Sequence, residues 1–318
     1  MSVDIDSFGQ VVVGGCFMGT TDFDPGPGVV EYTSNGEGDI FVSQLDSAGN
    51  LLWVDVLGGA GHDFCFGVAY DPFGAVYAAG RFTGTVDFDP GSGVETHISA
   101  GDTDMFAARF ESAGSLAWAR TWGGTSADEA LGVNTDSTGI VAVAGQFIGT
   151  VDFNPDAFGE DIRVSNGSFD AFINVFDSAG VQQYSRTWGG AYQDLAYAIR
   201  CIKDQLLGMT YIATTGWFSD TVNFDTSEGT DNRVSNGFYD IFLTTHDVYG
   251  KWIYANTWGG PNYNGGCAVS SFDSTESLYV VGYYSDTVDF DPGVDVDDHT
   301  SAGGYDSFLT KLNFLGGW

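Results

Sequence analysis

The chain has 318 residues, enough to bury a sizeable core, and its 35 Asp and 8 Glu outweigh 3 Lys and 7 Arg to give a formal charge of −33. A phosphate backbone would be strongly repelled, so nucleic acid is not an expected partner. The longest apolar runs, such as VYAAG at 76–80, fall far short of the roughly 20 residues of a membrane-crossing helix, so no membrane insertion is expected.

The order along the chain is a repeat. Gly15, Gly80, Gly145, Gly216 and Gly282 are each followed seven residues later by Asp22, Asp87, Asp152, Asn223 and Asp289, with spacings of 65, 65, 71 and 66 between copies. A second column, Gly36, Gly101, Gly167, Gly237 and Gly303, stands three residues before Asp39, Asp104, Asp170, Asp240 and Asp306. Five copies result, at approximately 1–58, 59–123, 124–189, 190–259 and 260–318, and the whole of 1–318 reads as one domain.

Within the second copy the predicted elements follow as FGVAYD (66–71), AVYAAGRF (75–82), MFAARFE (105–111) and LAWARTW (116–122). All four are short and rich in β-branched and aromatic residues, which predicts strands. DPFG (71–74) joins the first two and ESAG (111–114) the last two, and DSTG and DSAG do so in other copies. An acid followed three residues later by Gly suits a type I turn ending in a left-handed residue, the link between antiparallel strands. Each copy is therefore a four-stranded meander. The second strand is apolar at consecutive positions, for example Val11, Val12 and Val13, so both of its faces must be covered. Such sheets stacked face to face around an axis make a β-propeller. The predicted fold is all-β, a propeller of five four-stranded blades, with a flat solenoid the weaker alternative. Trp318 aligns with Leu51, at the start of the fourth strand, so that strand is missing from the last copy. Either the chain belongs to a longer protein, or the ring closes between the N- and C-terminal segments, the first two strands completing a blade begun at the C-terminus; the closed ring is the expectation.

The stretch GDTDMFAARFESAGSLAWARTWGGTSADEALGVNTDSTGIVAVAGQFIGTVDF (101–153) resembles the bacterial β-propeller repeat called SBBP, and all five copies share its pattern. The resemblance implies a propeller from a large secreted or cell-surface protein, hence an extracellular location, with any export signal removed or outside the chain. It says little about function, and the family name implies seven blades where five copies are counted.

After the second strand comes TDFDPG (21–26), then VDFDPG (86–91), VDFNPD (151–156), VNFDTS (222–227) and VDFDPG (288–293). In an extended segment residues i and i+2 share a side, so the pairs Asp22 and Asp24, Asp87 and Asp89, Asp152 and Asn154, Asn223 and Asp225, and Asp289 and Asp291 each present two oxygen-bearing groups together, with a Phe pointing inward between them. Ca²⁺ takes such oxygens, six to eight in all, and is the cofactor these pairs suggest. The competing reading is that each acid caps its own turn. Asp63, Asp128 and Asp194 in the GG-x-x-x-D connections are expected at the same end of the sheets, where the acids together would form a rim of negative potential; Asn264 replaces the last.

Trp53, Trp118, Tyr184 and Tyr254 form one aromatic column and Leu57, Trp122, Trp188 and Trp258 another, read as packing between blades, with sugar stacking open for any ring that faces solvent. Cys16, Cys65, Cys201 and Cys267 lack paired spacing and read as small buried residues, and the four His stand at unrelated positions. Catalysis needs unlike groups in one place, which near-identical copies oppose. The expected role is a non-enzymatic binding, adhesion or spacer module, a monomer or one domain of a larger chain, with a surface glycan or protein as ligand. The alternatives are a lectin-like propeller and a five-bladed glycoside hydrolase, for which Glu129, then Asp4, are the candidate acids.

Overall fold

The computed structural model of the chain describes residues 1–156, 159–204, 208–227, 229–271 and 277–313. Trp318, whose alignment with Leu51 marked the missing strand, lies outside the described residues. Among those described, every regular element is a β-strand.

The first copy runs β1 (Ser2–Ile5), β2 (Val11–Phe17), β3 (Thr20–Asp22), β4 (Glu31–Thr33), β5 (Asp39–Leu45) and β6 (Leu51–Leu57). Four of these form a sheet in the order β1-β2-β5-β6, and β3 and β4 form a small hairpin of their own. The second copy repeats this with β7 (Phe64–Tyr70), β8 (Val76–Phe82), β9 (Thr85–Asp87), β10 (Thr96–Ile98), β11 (Asp104–Phe110) and β12 (Leu116–Trp122), and the third with β13 (Glu129–Thr135), β14 (Val141–Phe147), β15 (Thr150–Asp152), β16 (Ile162–Val164), β17 (Asp170–Phe176) and β18 (Gln182–Trp188). The fourth has β19 (Leu195–Lys203), β20 (Thr210–Phe218), β21 (Thr221–Asn223), β22 (Asn232–Val234), β23 (Asp240–Asp247) and β24 (Trp252–Trp258). The fifth has β25 (Gly265–Ser271), β26 (Ser277–Tyr284), β27 (Thr287–Asp289), β28 (Asp298–Thr300) and β29 (Asp306–Asn313), with a sheet of three strands among the described residues. Repeated antiparallel sheets of this kind fit a β-propeller-like arrangement. The segment after the second strand begins as a strand of the small hairpin in every copy. The first two strands do not wait for partners from the far end: β1 pairs with β2, and β2 with β5, inside a complete first sheet.

Contacts gather the chain into two compact units, one of residues 1–143, 150–163 and 176–182, the other of 144–149, 164–175 and 183–318. In the first, the opening strands of successive sheets lie side by side: Tyr70 N–H donates to Asp4 Oδ2 at 2.8 Å, and Thr135 Oγ1 donates to Tyr70 O at 3.0 Å. Its core joins Val12, Ile40, Val42 and Leu57 of the first sheet to Val76, Phe82, Phe106 and Phe110 of the second. In the second unit, Ile241, Leu243 and Trp258 pack on Val269, Leu278, Val280 and Leu312.

The periodic residues have local causes. The first strand bulges opposite the glycine column, and a Cβ at Gly80, Gly216 or Gly282 would overlap the carbonyl oxygen of Phe64, Leu195 or Gly265. Asp dominates the turns because its short side chain reaches its own backbone. Asp71 Oδ1 accepts from Phe73 N and Ala75 N at 2.8 and 2.9 Å, and Asp177 Oδ1 from Ala179 N and Val181 N at 2.9 and 3.0 Å. One methylene more would overshoot, which accounts for the excess of Asp over Glu at these turns.

The turn between the third and fourth strands also receives an aromatic ring from the preceding copy. Trp53 Nε1 donates to Ser112 O at 3.2 Å, Trp118 Nε1 to Ser178 O at 3.0 Å and Tyr184 Oη to Asp247 O at 3.2 Å. Trp122, Trp188 and Trp258 are buried as the column reading expects. Gly180, at φ +76°, lies so close beneath Trp118 that a Cβ would sit 2.8 Å from the ring. Gly180→Ala is expected to cost about 2 kcal/mol or more, combining left-handed backbone strain with overpacking. Gly19→Ala, at φ +70° with nothing within 4 Å of the added atom, should cost about 1 kcal/mol. Urea unfolding midpoints of the two variants check the order.

Candidate functional site

The D-F-D segments close their loops by the same bonds in every copy. Asp22 Oδ1 accepts from Asp24 N at 3.0 Å and Val30 N at 2.9 Å, and Asp87 Oδ1 from Asp89 N at 3.1 Å and Glu95 N at 2.8 Å. Asp152 Oδ1 accepts from Asn154 N at 3.0 Å and Asp161 N at 2.8 Å, Asn223 Oδ1 from Asp225 N at 3.2 Å and Asp231 N at 2.8 Å, and Asp289 Oδ1 from Asp291 N at 3.1 Å and Asp297 N at 2.8 Å. The second residue then caps the next turn: Asp24 Oδ1 receives Gly26 N, Asp89 receives Gly91 N, Asn154 receives Asp156 N, Asp225 receives Ser227 N and Asp291 receives Gly293 N. Phe88, Phe153, Phe224 and Phe290 between them are buried. An Asn does each job through its amide oxygen, which explains Asn154 and Asn223. Among the described residues no three His, Cys, Asp or Glu side chains converge as metal ligands would.

The GG-x-x-x-D acids differ from the rim reading. Asp63, Asp128, Asp194 and Asn264 are all 0 % exposed, so they add no charge to the surface; backbone donors have drawn them inside. Asp63 N–H donates to Gly38 O at 2.8 Å at the entrance to β5, while its carboxylate accepts from Gly59 N and Thr83 N, each at 2.8 Å. Asp194 repeats this with Phe169 O at 2.7 Å, Gly190 N at 2.7 Å and Ser219 N at 2.8 Å. At Asn264 the oxygen accepts from Ser285 N at 3.1 Å, and the amide nitrogen finds Tyr239 O at 3.1 Å.

A second set of buried acids opens the third strands. Asp39, Asp104, Asp170 and Asp240 accept through Oδ2 from the backbone of Asn35, Ala100, Asn166 and Asn236 at 2.8–3.1 Å, while the Oδ1 of each is buried with no hydrogen-bond partner. Burial pushes Asp170 and Asp240 up to about 6 and Asp194 up to about 7, and it raises Asp39, Asp63 and Asp104 as well. Asp55 rises to about 7 through burial and the nearby charge of Asp89.

The hydrolase candidates are engaged in the scaffold. Glu129 is ion-paired with Arg81, and Asp4 holds Tyr70 N–H. All four cysteines are free, with Cys65 and Cys201 buried and Cys16 and Cys267 partly so.

Rings that the repeat did not single out gather in the second unit. Tyr192, Phe238, Tyr239 and Tyr263, with Ser219, Asp220, Ser235 and Gly237, line a recess of about 570 Å³. Tyr192 is 64 % exposed, Phe238 59 % and Tyr263 40 %. Tyr239 has aromatic counterparts in Phe169 and Tyr305, whereas Tyr192, Phe238 and Tyr263 do not recur as aromatics apart from the imidazole of His62 at the Tyr263 position, so periodicity does not mark the cluster.

No family model matches the chain. It is similar to the regulatory protein FlaEY of Caulobacter vibrioides, 27 % identical over 163 residues, which is 50 % of this chain but 16 % of that protein's length. No helix among the described residues is long and apolar enough to cross a membrane, which says nothing of a β-barrel.

Asp194→Ala leaves two backbone N–H groups unpaired in the interior and is expected to destabilise by roughly 2–4 kcal/mol. Asp194→Asn, which copies Asn264, should cost less than half of that; equal losses in chemical denaturation would contradict the hydrogen-bond account. The buried acids also set a pH dependence. Their folded-state values lie above the ordinary 3.8, so their contribution is full below that value and lost as pH rises through 6 to 7. His246, pressed down to about 3 by burial, works in the opposite sense, its contribution fading as pH falls below 6.5. With several acids set against one imidazole, the melting temperature should be higher near about pH 5.5 than near about pH 8. An equal or lower value at the acid end would contradict this.

Proposed function

We propose that the chain is a non-enzymatic β-propeller of five blades closed into a ring, exposed outside the cell and serving as a binding or spacer module. The observation that carries this reading is the use made of the repeated polar groups. The columns of Asp22, Asp39 and Asp63 all hold the chain's own backbone, so recurrence here is scaffold and recognition falls to residues that depart from it. Face-to-face cores in both units support the ring, and the resemblance to SBBP repeats supports an extracellular setting. The similarity to FlaEY covers too little of that protein to bring its regulatory role to this chain.

A lectin-like reading is supported by the solvent-facing rings around Tyr263. Calcium is a separable part of the proposal, supported by the paired acids of the D-F-D loops and limited by the backbone bonds that already occupy Oδ1. Chromogenic glycosides provide the test of the main reading. No turnover above buffer is expected, and turnover abolished by Glu129→Gln would replace the binding module by a hydrolase. For calcium, the expected result is a higher melting temperature when Ca²⁺ is returned after EDTA treatment in low salt, and an unchanged temperature removes the metal.

A further inference from the structure

The recess in the second unit departs from the repeat in two ways at once. Phe238 and Tyr263 stand where the first copy has Glu37 and the ring of His62, the second Asp102 and Ala127, and the third Ser168 and Gln193, while Tyr239 shares its column with Phe169 and Tyr305. Phe238 and Tyr263 stack with centroids 5.0 Å apart and planes within 9°, and Tyr239 leans on Tyr263 at 5.4 Å and 51°. Trp217 supports Tyr239 from 6.1 Å. Exposed rings in such a group leave apolar faces in contact with water, which marks a recognition surface more often than chance.

The second departure is Asp220. Its φ is +57°, and the first three copies place Gly19, Gly84 and Gly149 at this point, with φ of +70°, +70° and +81°. Asp tolerates the left-handed region better than most residues, but glycine has no Cβ penalty there, and within the turn the carboxylate receives a long bond from Thr221 Oγ1 at 3.4 Å. In the fifth copy the equivalent Asp286, at φ +59°, accepts a hydrogen bond from Asn262. In the fourth copy the residue matching Asn262 is Tyr192, and Asp220 and Tyr192 line the recess together.

Resting on the reading of the chain as a binding module, we propose that this recess binds an organic cation, specifically a quaternary or methylated ammonium group, through the rings of Tyr192 and Tyr239, the outer face of the stacked Phe238–Tyr263 pair and the carboxylate of Asp220. Ring faces carry the negative end of the aromatic quadrupole and attract a soft cation. The carboxylate adds a directed charge, and the net −33 of the chain raises the local concentration of any cation. A neutral sugar would gain from the rings and hydroxyls alone, and an anion would be repelled. A volume of about 570 Å³ is in the range of small-molecule sites. Ser219 and Ser235 are turned to the backbone, Ser219 donating to Gln193 O at 3.0 Å and Ser235 to Gly237 O at 3.1 Å, so the serine hydroxyls are already used.

Calorimetric titration of the full chain tests this with choline, a trimethyllysine tripeptide, the neutral isostere 3,3-dimethylbutanol and maltotetraose. Saturable binding of choline or the tripeptide, weakened by salt and at least about tenfold tighter than the isostere, is expected; the tighter of the two identifies a free small molecule or a side-chain source. Asp220→Gly restores the residue of the first three copies and leaves the fold intact, and it should weaken binding about three- to tenfold; Tyr263→Ala should weaken it about tenfold or more. Equal binding of the isostere, indifference to Asp220→Gly, or saturation by maltotetraose instead would overturn the proposal. Those outcomes leave the binding-module reading standing, because only glycoside turnover removes that.

Discussion

A carboxylate that accepts two backbone N–H groups on one side, while its own N–H donates to the sheet on the other, is the contact on which this repeat depends. Asp63 holds Gly59 and Thr83 through its side chain and Gly38 through its main chain, and Asp194 does the same two junctions later. A buried charge of this sort is unfavourable without partners. With them it fixes the spacing and rotation of one sheet on the next more narrowly than an aliphatic contact could, because hydrogen bonds are directional and dispersion is not. The aromatic columns then fill the space so defined: Trp118 closes on Gly180 only because the sheets are already placed.

Acidity at the level of composition therefore has a structural origin that net charge conceals. Short acids terminate turns at Asp71 and Asp177, close the hairpin loops at Asp22 and Asp87, and pin sheets at Asp63. Each is chosen for reach. The cost is a set of carboxyls such as Asp170 and Asp240 with one oxygen buried and unpartnered, whose proton affinity is raised by the same burial. Geometry that favours folding thus makes the interior responsive to acid.

Periodicity made the strands, their turns and the packing columns legible in the sequence, because each arises from a local rule that recurs in several copies: an acid three residues ahead of glycine, a run such as Val11 to Val13, an aromatic ring in fixed register. The small hairpins were less visible, since three residues such as Thr85–Asp87 are too few for alternation to register. The depth of Asp63 and Asp194 was not visible either. A GG-x-x-x-D string does not say whether its acid turns to water or to the backbone, and that depends on Thr83 and Ser219, some 20 and 25 residues away. The recess at Tyr263 was not legible either, because Tyr192, Phe238 and Tyr263 have no aromatic counterparts in most copies and periodicity does not mark them.

The clamp made by the first acid of each D-F-D segment has a practical consequence. It spans eight residues at Asp22, Asp87 and Asp289 and nine at Asp152, with donor distances of 2.8–2.9 Å throughout. The third copy has accommodated an added residue without altering the closure. A foreign peptide spliced between the clamp residues would be presented at a fixed stem, which makes the repeated hairpins stations for grafting epitopes.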